Sequence, residues 1–180
     1  MKGIVFTEFV DMVDQQFGFE VTEAMLERVE LASGGAYTQV GDYHHGEMLQ
    51  LVEALASELQ QPVELLLIAY GSRLFDRLVL VHNIDLSRYV GSFDFLQQVE
   101  NDIHRQVRKL YDNARPPTFE FDSISANQMQ LRYHSHRGFG AVAEGLLRRC
   151  TERFEEPMNI TRRSLNHQGT EVLFLLERHS

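Results

Sequence analysis

Two adjacent prolines, Pro116-Pro117, divide this chain more sharply than any other feature, because a proline pair closes off every helical continuation across it. Before the pair, apolar residues recur at helical spacing; beyond it, shorter segments alternate as strands do. Val5, Phe9, Met12 and Val13 mark a helix over about residues 3–17 with Gly18 as its stop. A second helix is expected over roughly 22–31, followed by the loop Ser33-Gly34-Gly35 and the turn Gly41-Asp42-Tyr43. Met48, Leu51, Val52, Leu55 and Leu59 mark a third helix. Pro62 opens a fourth, which carries Leu65, Leu66, Ala69, Leu74 and Leu78 and has Gly71 at mid-run, where a helix bends or packs closely. Ser92 is a good N-cap for a helix ending near Tyr111, with the stripe Leu96, Val99, Ile103, Val107 and Leu110. Past the prolines, 118–122 and 128–135 read as antiparallel strands about the turn Ser125-Ala126-Asn127. A periodic helix then runs from Phe139 to Phe154, and 158–164 and 171–178 are the last two strands. The order is helices first, then a β-β-α-β-β block, which is an α+β chain.

His104 borders the last helical stripe before the prolines, and at 100° per residue Phe93 and Tyr111 fall within about 20° of it around the axis. Tyr133, Ser135 and Arg137 alternate near the end of the second strand, so a phenol, a hydroxyl and a guanidinium converge on one side. All three donate hydrogen bonds to carboxylates. Haem asks for both features, an axial ligand for its iron and donors for its two propionates. Taken singly, His104 is more simply a structural histidine, and the other three are the polar face of a strand. The remaining histidines carry less: His44 and His45 lie in a polar turn, His134 and His136 share a strand face without a third ligand, and His82, His167 and His179 have no motif.

With 180 residues and 43% hydrophobic content the chain supports one well-buried core in a single domain, 1–180, with room for two lobes. Seventeen basic against 26 acidic residues leave a net charge of −9 and no basic run, which excludes nucleic acid as a partner class. The single cysteine, Cys150, permits no intramolecular disulfide and no CxxCH attachment, so a cytoplasmic location and non-covalent haem are expected, with the thiol packed in a core. An acidic residue as early as Glu8 argues against a secretory signal, and no apolar run approaches the ~20 residues of a membrane span, so no membrane partner is expected.

The opening Met1-Lys2-Gly3, the helix with His104, the Pro116-Pro117 pair and Tyr133-His134-Ser135-His136-Arg137, which matches a YxSxR motif, together resemble the H-NOX family over essentially the whole chain. These are the haem nitric oxide/oxygen binding domains, which include the sensory domain of soluble guanylate cyclase. The resemblance implies an amino-terminal helical distal lobe, about 1–61, followed by a proximal lobe, about 62–180, with helices and a four-stranded antiparallel sheet. It makes His104 the proximal ligand of the haem iron, assigns Tyr133, Ser135 and Arg137 to the propionates of a non-covalent haem b, and sets Pro117 against the porphyrin to distort it.

Bound oxygen carries negative charge on its outer atom and is held by a distal donor, whereas nitric oxide binds ferrous iron without one. Oxygen-binding members resemble one another in a distal tyrosine nine residues after the motif tyrosine, and that place here is Val142. The other aligned distal positions, Val5, Phe9, Leu74, Leu78 and Leu146, are apolar too. Plain core packing would bury the same residues without haem. The resemblance therefore implies a sensor of nitric oxide, with carbon monoxide as a second gas. The cysteine cluster that binds zinc in some members is missing here, so thiol-zinc redox sensing is not expected. The expected protein is a bacterial, stand-alone sensor and no enzyme, acting on a separate signalling partner such as a histidine kinase or a cyclic-di-GMP enzyme (diguanylate cyclase or phosphodiesterase). The alternatives are a haem-free interaction module, a haem sensor of oxygen or redox state, and an enzyme using His104 as a general base.

Overall fold

The computed structural model describes residues 1–110 and 115–179. Its first helix, α1 (Gly3–Phe17), ends at Gly18, whose φ of +88° favours a residue without a Cβ. The same glycine opens α2 (Phe19–Glu27), so the second helix begins and ends earlier than the expected 22–31: one glycine joins the two helices with no loop between. Then come α3 (His45–Leu59) and α4 (Val63–Val81), the latter entered through Pro62 as its N-cap.

The rod expected from Ser92 to Tyr111 is three pieces: α5 (Ser92–Gln98), a π-helical turn (Val99–His104) and α6 (Arg105–Leu110). Tyr111 lies outside the described residues. Ser92 is the first helical residue rather than the cap, which is Gly91. The capping is supplied from far along the chain, since Glu156 accepts hydrogen bonds from both the Ser92 amide (3.0 Å) and its hydroxyl (2.6 Å). The wider π turn also breaks the 100° count, and it ends on His104. Phe93 therefore sits beneath the Arg178 guanidinium at 4.5 Å, and the ring stacked on His104 is Phe119 instead.

Strands β1 (Thr118–Ile124), β2 (Gln128–His134), β3 (Met158–Ser164) and β4 (Glu171–Arg178) form, among the described residues, one antiparallel sheet in the order β1-β2-β4-β3. Alternation sends Met129, Leu131 and Tyr133 of β2 and Val172, Phe174 and Leu176 of β4 to the covered face. On that face lies α7 (Gly140–Arg153), contributing Ala143, Leu147 and Cys150.

The site is positioned by the crossing of α4 and α7. A Cβ on Gly71 would stand 2.2 Å from the Val142 carbonyl oxygen, and one on Gly145 2.0 Å from that of Ile68, so two glycines bring the backbones together. The Ser72 hydroxyl donates to the Gly145 carbonyl at 3.1 Å across the same crossing. One apolar cluster joins α1, α2, α3 and the Leu66–Leu74 part of α4 to Phe139, Ala141 and Val142. A second joins the sheet to α5, Phe75 and the remainder of α7. The two helices that cross thus belong to both clusters.

Candidate functional site

A cavity of about 380 Å³, within the ordinary range for small-molecule and cofactor sites, opens where α1, α4, α7, the rod and the start of the sheet meet. Val5, Leu74, Leu78, Val142 and Leu146 line it from α1, α4 and α7. From the rod and the proline pair come Ile103, His104, Val107, Pro116 and Pro117. Tyr133, Ser135 and Arg137 line it too, joined by Arg115 and the first two residues. Of the residues expected at the site, Phe9 alone is absent from the lining. It is fully buried behind, edge-on to the Tyr70 ring at 5.2 Å, because Tyr70 projects from the facing helix and takes the space.

Tyr70 is a lining residue that the sequence reading missed, although it stands four residues before Leu74 and so shares its helix face. Its hydroxyl donates to the Val5 carbonyl at 2.5 Å, and burial raises its pKa well above the ordinary phenol value. The one proton on that oxygen is committed to a backbone acceptor.

Strand β2 stops at His134, so Ser135 and Arg137 lie just past its end rather than within it. The Ser135 amide still donates to the Thr170 carbonyl at 2.8 Å, prolonging the strand pairing by one residue, and Gly138 with φ of +69° then turns the chain. Tyr133 and Ser135 are buried at 3% and 4% exposure, while Arg137 is half-buried and Arg115 exposed, so the donors run from the interior towards solvent. Burial raises the Tyr133 pKa, against a smaller opposing pull from Ser135 and Arg137. Burial also lowers that of Arg137, whose guanidinium stays charged and donates to the Arg115 carbonyl at 2.9 Å.

The His104 imidazole is mostly buried, with 14% of its side chain exposed, and stacks on Phe119 at 5.4 Å. Its Nδ1 lies 3.0 Å from a carboxylate oxygen of Glu100, whose other oxygen accepts from Arg108 at 2.5 Å. Burial lowers the His104 pKa, opposed by Glu100 and the Pro117 backbone carbonyl and reinforced by Arg108. Burial alone would raise Glu100, yet its bonds to His104 and Arg108 hold it below the usual carboxylate range.

Two of the other histidines, His45 and His136, come together near the polar end. The His45 ring lies 6.0 Å from that of His136 and 4.6 Å from His44, and burial with the neighbouring positive charges lowers the pKa of both His45 and His136.

Among the described residues no group of three or more His, Cys, Asp or Glu is placed to hold a bare metal ion. A metal on His104 would need its other ligands from a cofactor. The lining suits one that is apolar over most of its area and anionic at one edge, as haem is. Cys150 also lines the cavity, buried at 1% exposure, with its thiol pKa pushed up by burial and so poorly nucleophilic. No helix among the described residues is long and apolar enough to cross a membrane.

Known proteins share this fold. The H-NOX protein from K. algicida, solved as Fe(II) unliganded, is 34% identical with a TM-score of 0.93, covering 100% of this chain and 97% of that one. An H-NOX protein from S. oneidensis in the Fe(II)NO ligation state is 28% identical with a TM-score of 0.88, covering both chains completely at 100%. Soluble guanylate cyclase gcy-35 of Caenorhabditis elegans is 24% identical over 179 residues, 93% of this chain but 25% of that protein, so the chain spans about a quarter of that relative's length. The family model described as Haem-NO-binding matches residues 2–162, and the chain belongs to this haem-NO-binding, or H-NOX, family.

Proposed function

We propose that this protein is a haem-based sensor of nitric oxide that regulates a separate signalling protein. The observation that carries the reading is one apolar cavity with the His104 imidazole in one part of its lining and the donors Tyr133, Ser135 and Arg137 in another. When bound, haem b supplies a ferrous iron that takes the gas. His104 would ligate its iron, Tyr133, Ser135 and Arg137 would hold its propionates without covalent attachment, and Pro117 would bear on the macrocycle. Val5, Leu74, Leu78, Val142 and Leu146 would form the gas-side wall and offer no donor, and the Tyr70 proton is spent on Val5; His82, at the end of α4, is the second imidazole in the lining. Such a wall suits nitric oxide, and carbon monoxide as a second gas, better than oxygen.

The signal passes through His104. A ligated His104 would hold the rod from Ser92 to Leu110 against the cavity, and its release would let the rod relax and change the surface offered to a partner. The two apolar clusters favour two lobes, with the Leu66–Leu74 part of α4 packed in the first, and the division into a distal lobe of about 1–61 and a proximal lobe of about 62–180 belongs to this reading. So do a bacterial, cytoplasmic setting and a partner such as a histidine kinase or a cyclic-di-GMP enzyme, which would carry the catalysis this domain lacks.

The test is spectroscopic. Protein produced with adequate haem should show a Soret band, and the reduced form should shift on nitric oxide addition while forming no stable complex in air. A colourless protein, or a ferrous protein that holds oxygen stably, sinks the reading. The donors can be ranked as well. Arg137→Ala should weaken haem retention about 10–100-fold, because a charged fork loses a bond worth about 1.5–3 kcal/mol to a carboxylate, whereas Ser135→Ala loses a neutral bond of about 1 kcal/mol. Transfer of haem to apomyoglobin measures both, and equal, negligible losses would place these side chains away from the propionates.

A further inference from the structure

The hydrogen bond from His104 away from the cavity is an unusual feature of this site. Glu100, His104 and Arg108 recur every four residues on one face of the rod, and their side chains form a chain: Glu100 to Nδ1 of His104 at 3.0 Å, and Arg108 to the second Glu100 oxygen at 2.5 Å. The backbone is adapted to this arrangement. The Arg105 amide donates to the Glu100 carbonyl five residues back, closing the π turn that ends on His104. Stacking on Phe119 fixes the imidazole plane. With Nδ1 turned to Glu100, the ring's other nitrogen, Nε2, is the one a ligand in the cavity can use, with the Pro117 backbone carbonyl also acting on the ring.

We propose that Glu100, clamped by Arg108, is the positioning residue of the axial ligand: it holds the proton on His104 Nδ1, fixes the tautomer with the lone pair on Nε2, and makes the imidazole a more basic iron ligand. The inference rests on the haem-binding reading above. A neutral imidazole carries one N–H, and a carboxylate acceptor at Nδ1 decides which nitrogen has it. An anionic acceptor also pushes electron density into the ring, which strengthens the bond to iron and favours the ferric state over the ferrous. Glu100 thereby sets how firmly the His104 tether resists release, the quantity on which the response depends.

Two measurements test this separately. In the haem-free protein, nitrogen-15 correlation spectra of the histidines should show His104 with its proton on Nδ1 and a strongly downfield proton signal that Glu100→Gln moves upfield. A wild-type His104 protonated on Nε2 overturns the proposal without any reference to haem. In the haem-loaded protein, Glu100→Gln keeps the shape but removes the charge. It should lower the iron–histidine stretching frequency and shift the ferric–ferrous equilibrium about tenfold toward ferrous, roughly +59 mV in midpoint potential. Normal haem content with an unchanged stretch and potential overturns the role of Glu100. A wild-type protein that takes up no haem at all overturns the sensor reading, and with it the ligand role, while the tautomer result still reports on the pair. Should Glu100→Gln fail to fold, Arg108→Ala, at a side chain 40% exposed, alters the same carboxylate: a changed His104 Nδ1 proton signal supports the proposal, and an unchanged one opposes it.

Discussion

Replacing His104 with alanine is expected to lower haem content at least tenfold, with millimolar imidazole restoring part of it. Truncation removes the axial nitrogen and leaves a space the size of an imidazole against Phe119, which the free base can fill. The donors at the polar end are untouched, so the added ligand finds the remainder of the cavity in place. A second imidazole gives the control. His82, at the C-cap of α4, also lines the cavity, and His82→Ala should leave haem content as it was. The ratio of Soret to protein absorbance reads both variants. Unchanged content in His104→Ala would remove this residue as the ligand, and loss in His82→Ala alone would transfer the role.

Gly145→Ala is expected to destabilise the fold by about 3 kcal/mol or more, lowering the Tm by roughly 6–12 °C for a domain of this size. The added Cβ would stand 2.0 Å from the Ile68 carbonyl oxygen and 2.8 Å from the Ser72 amide nitrogen. Those neighbours are helix backbone, which cannot turn aside as a side chain does. Separating α4 from α7 would also part Leu74 and Leu78 from Val142 and Leu146, so haem content should fall with stability. Glu53→Ala, at an exposed position of α3, serves as a control and should change stability by about 0.5 kcal/mol or less. Calorimetry checks the pair. A Gly145→Ala protein as stable as the wild type would mean that the helices do not cross this closely.

Much of the chain's organisation can be read locally because its punctuation is local. Pro116-Pro117 and the alternation after them lead to the strands at 158–164 and 171–178, both observed with those bounds. The YxSxR spacing likewise selects three donors that do line one cavity. Local reading fails where a distant residue takes over a local task. Glu156 caps the helix in place of Ser92, and Phe119 from β1 covers His104 in place of Phe93. Tyr70 and Glu100 each lay one helical turn from a residue already singled out, so their faces were legible and their partners were not.

By itself the sequence determined the order of elements and the α+β class, since both follow from periodicity and turn chemistry along the chain, while the resemblance to the H-NOX family pointed to His104, Tyr133, Ser135 and Arg137 as a haem site. Tertiary structure alone decided that the helix before the prolines widens into a π turn at His104, that Phe9 gives way to Tyr70 in the lining, and that the Tyr70 proton is turned to Val5. The physical reason is that those outcomes depend on distances between residues remote in sequence. Backbone spacing set by Gly71 and Gly145, and hydrogen bonds claimed by one buried acceptor over another, have no local signature.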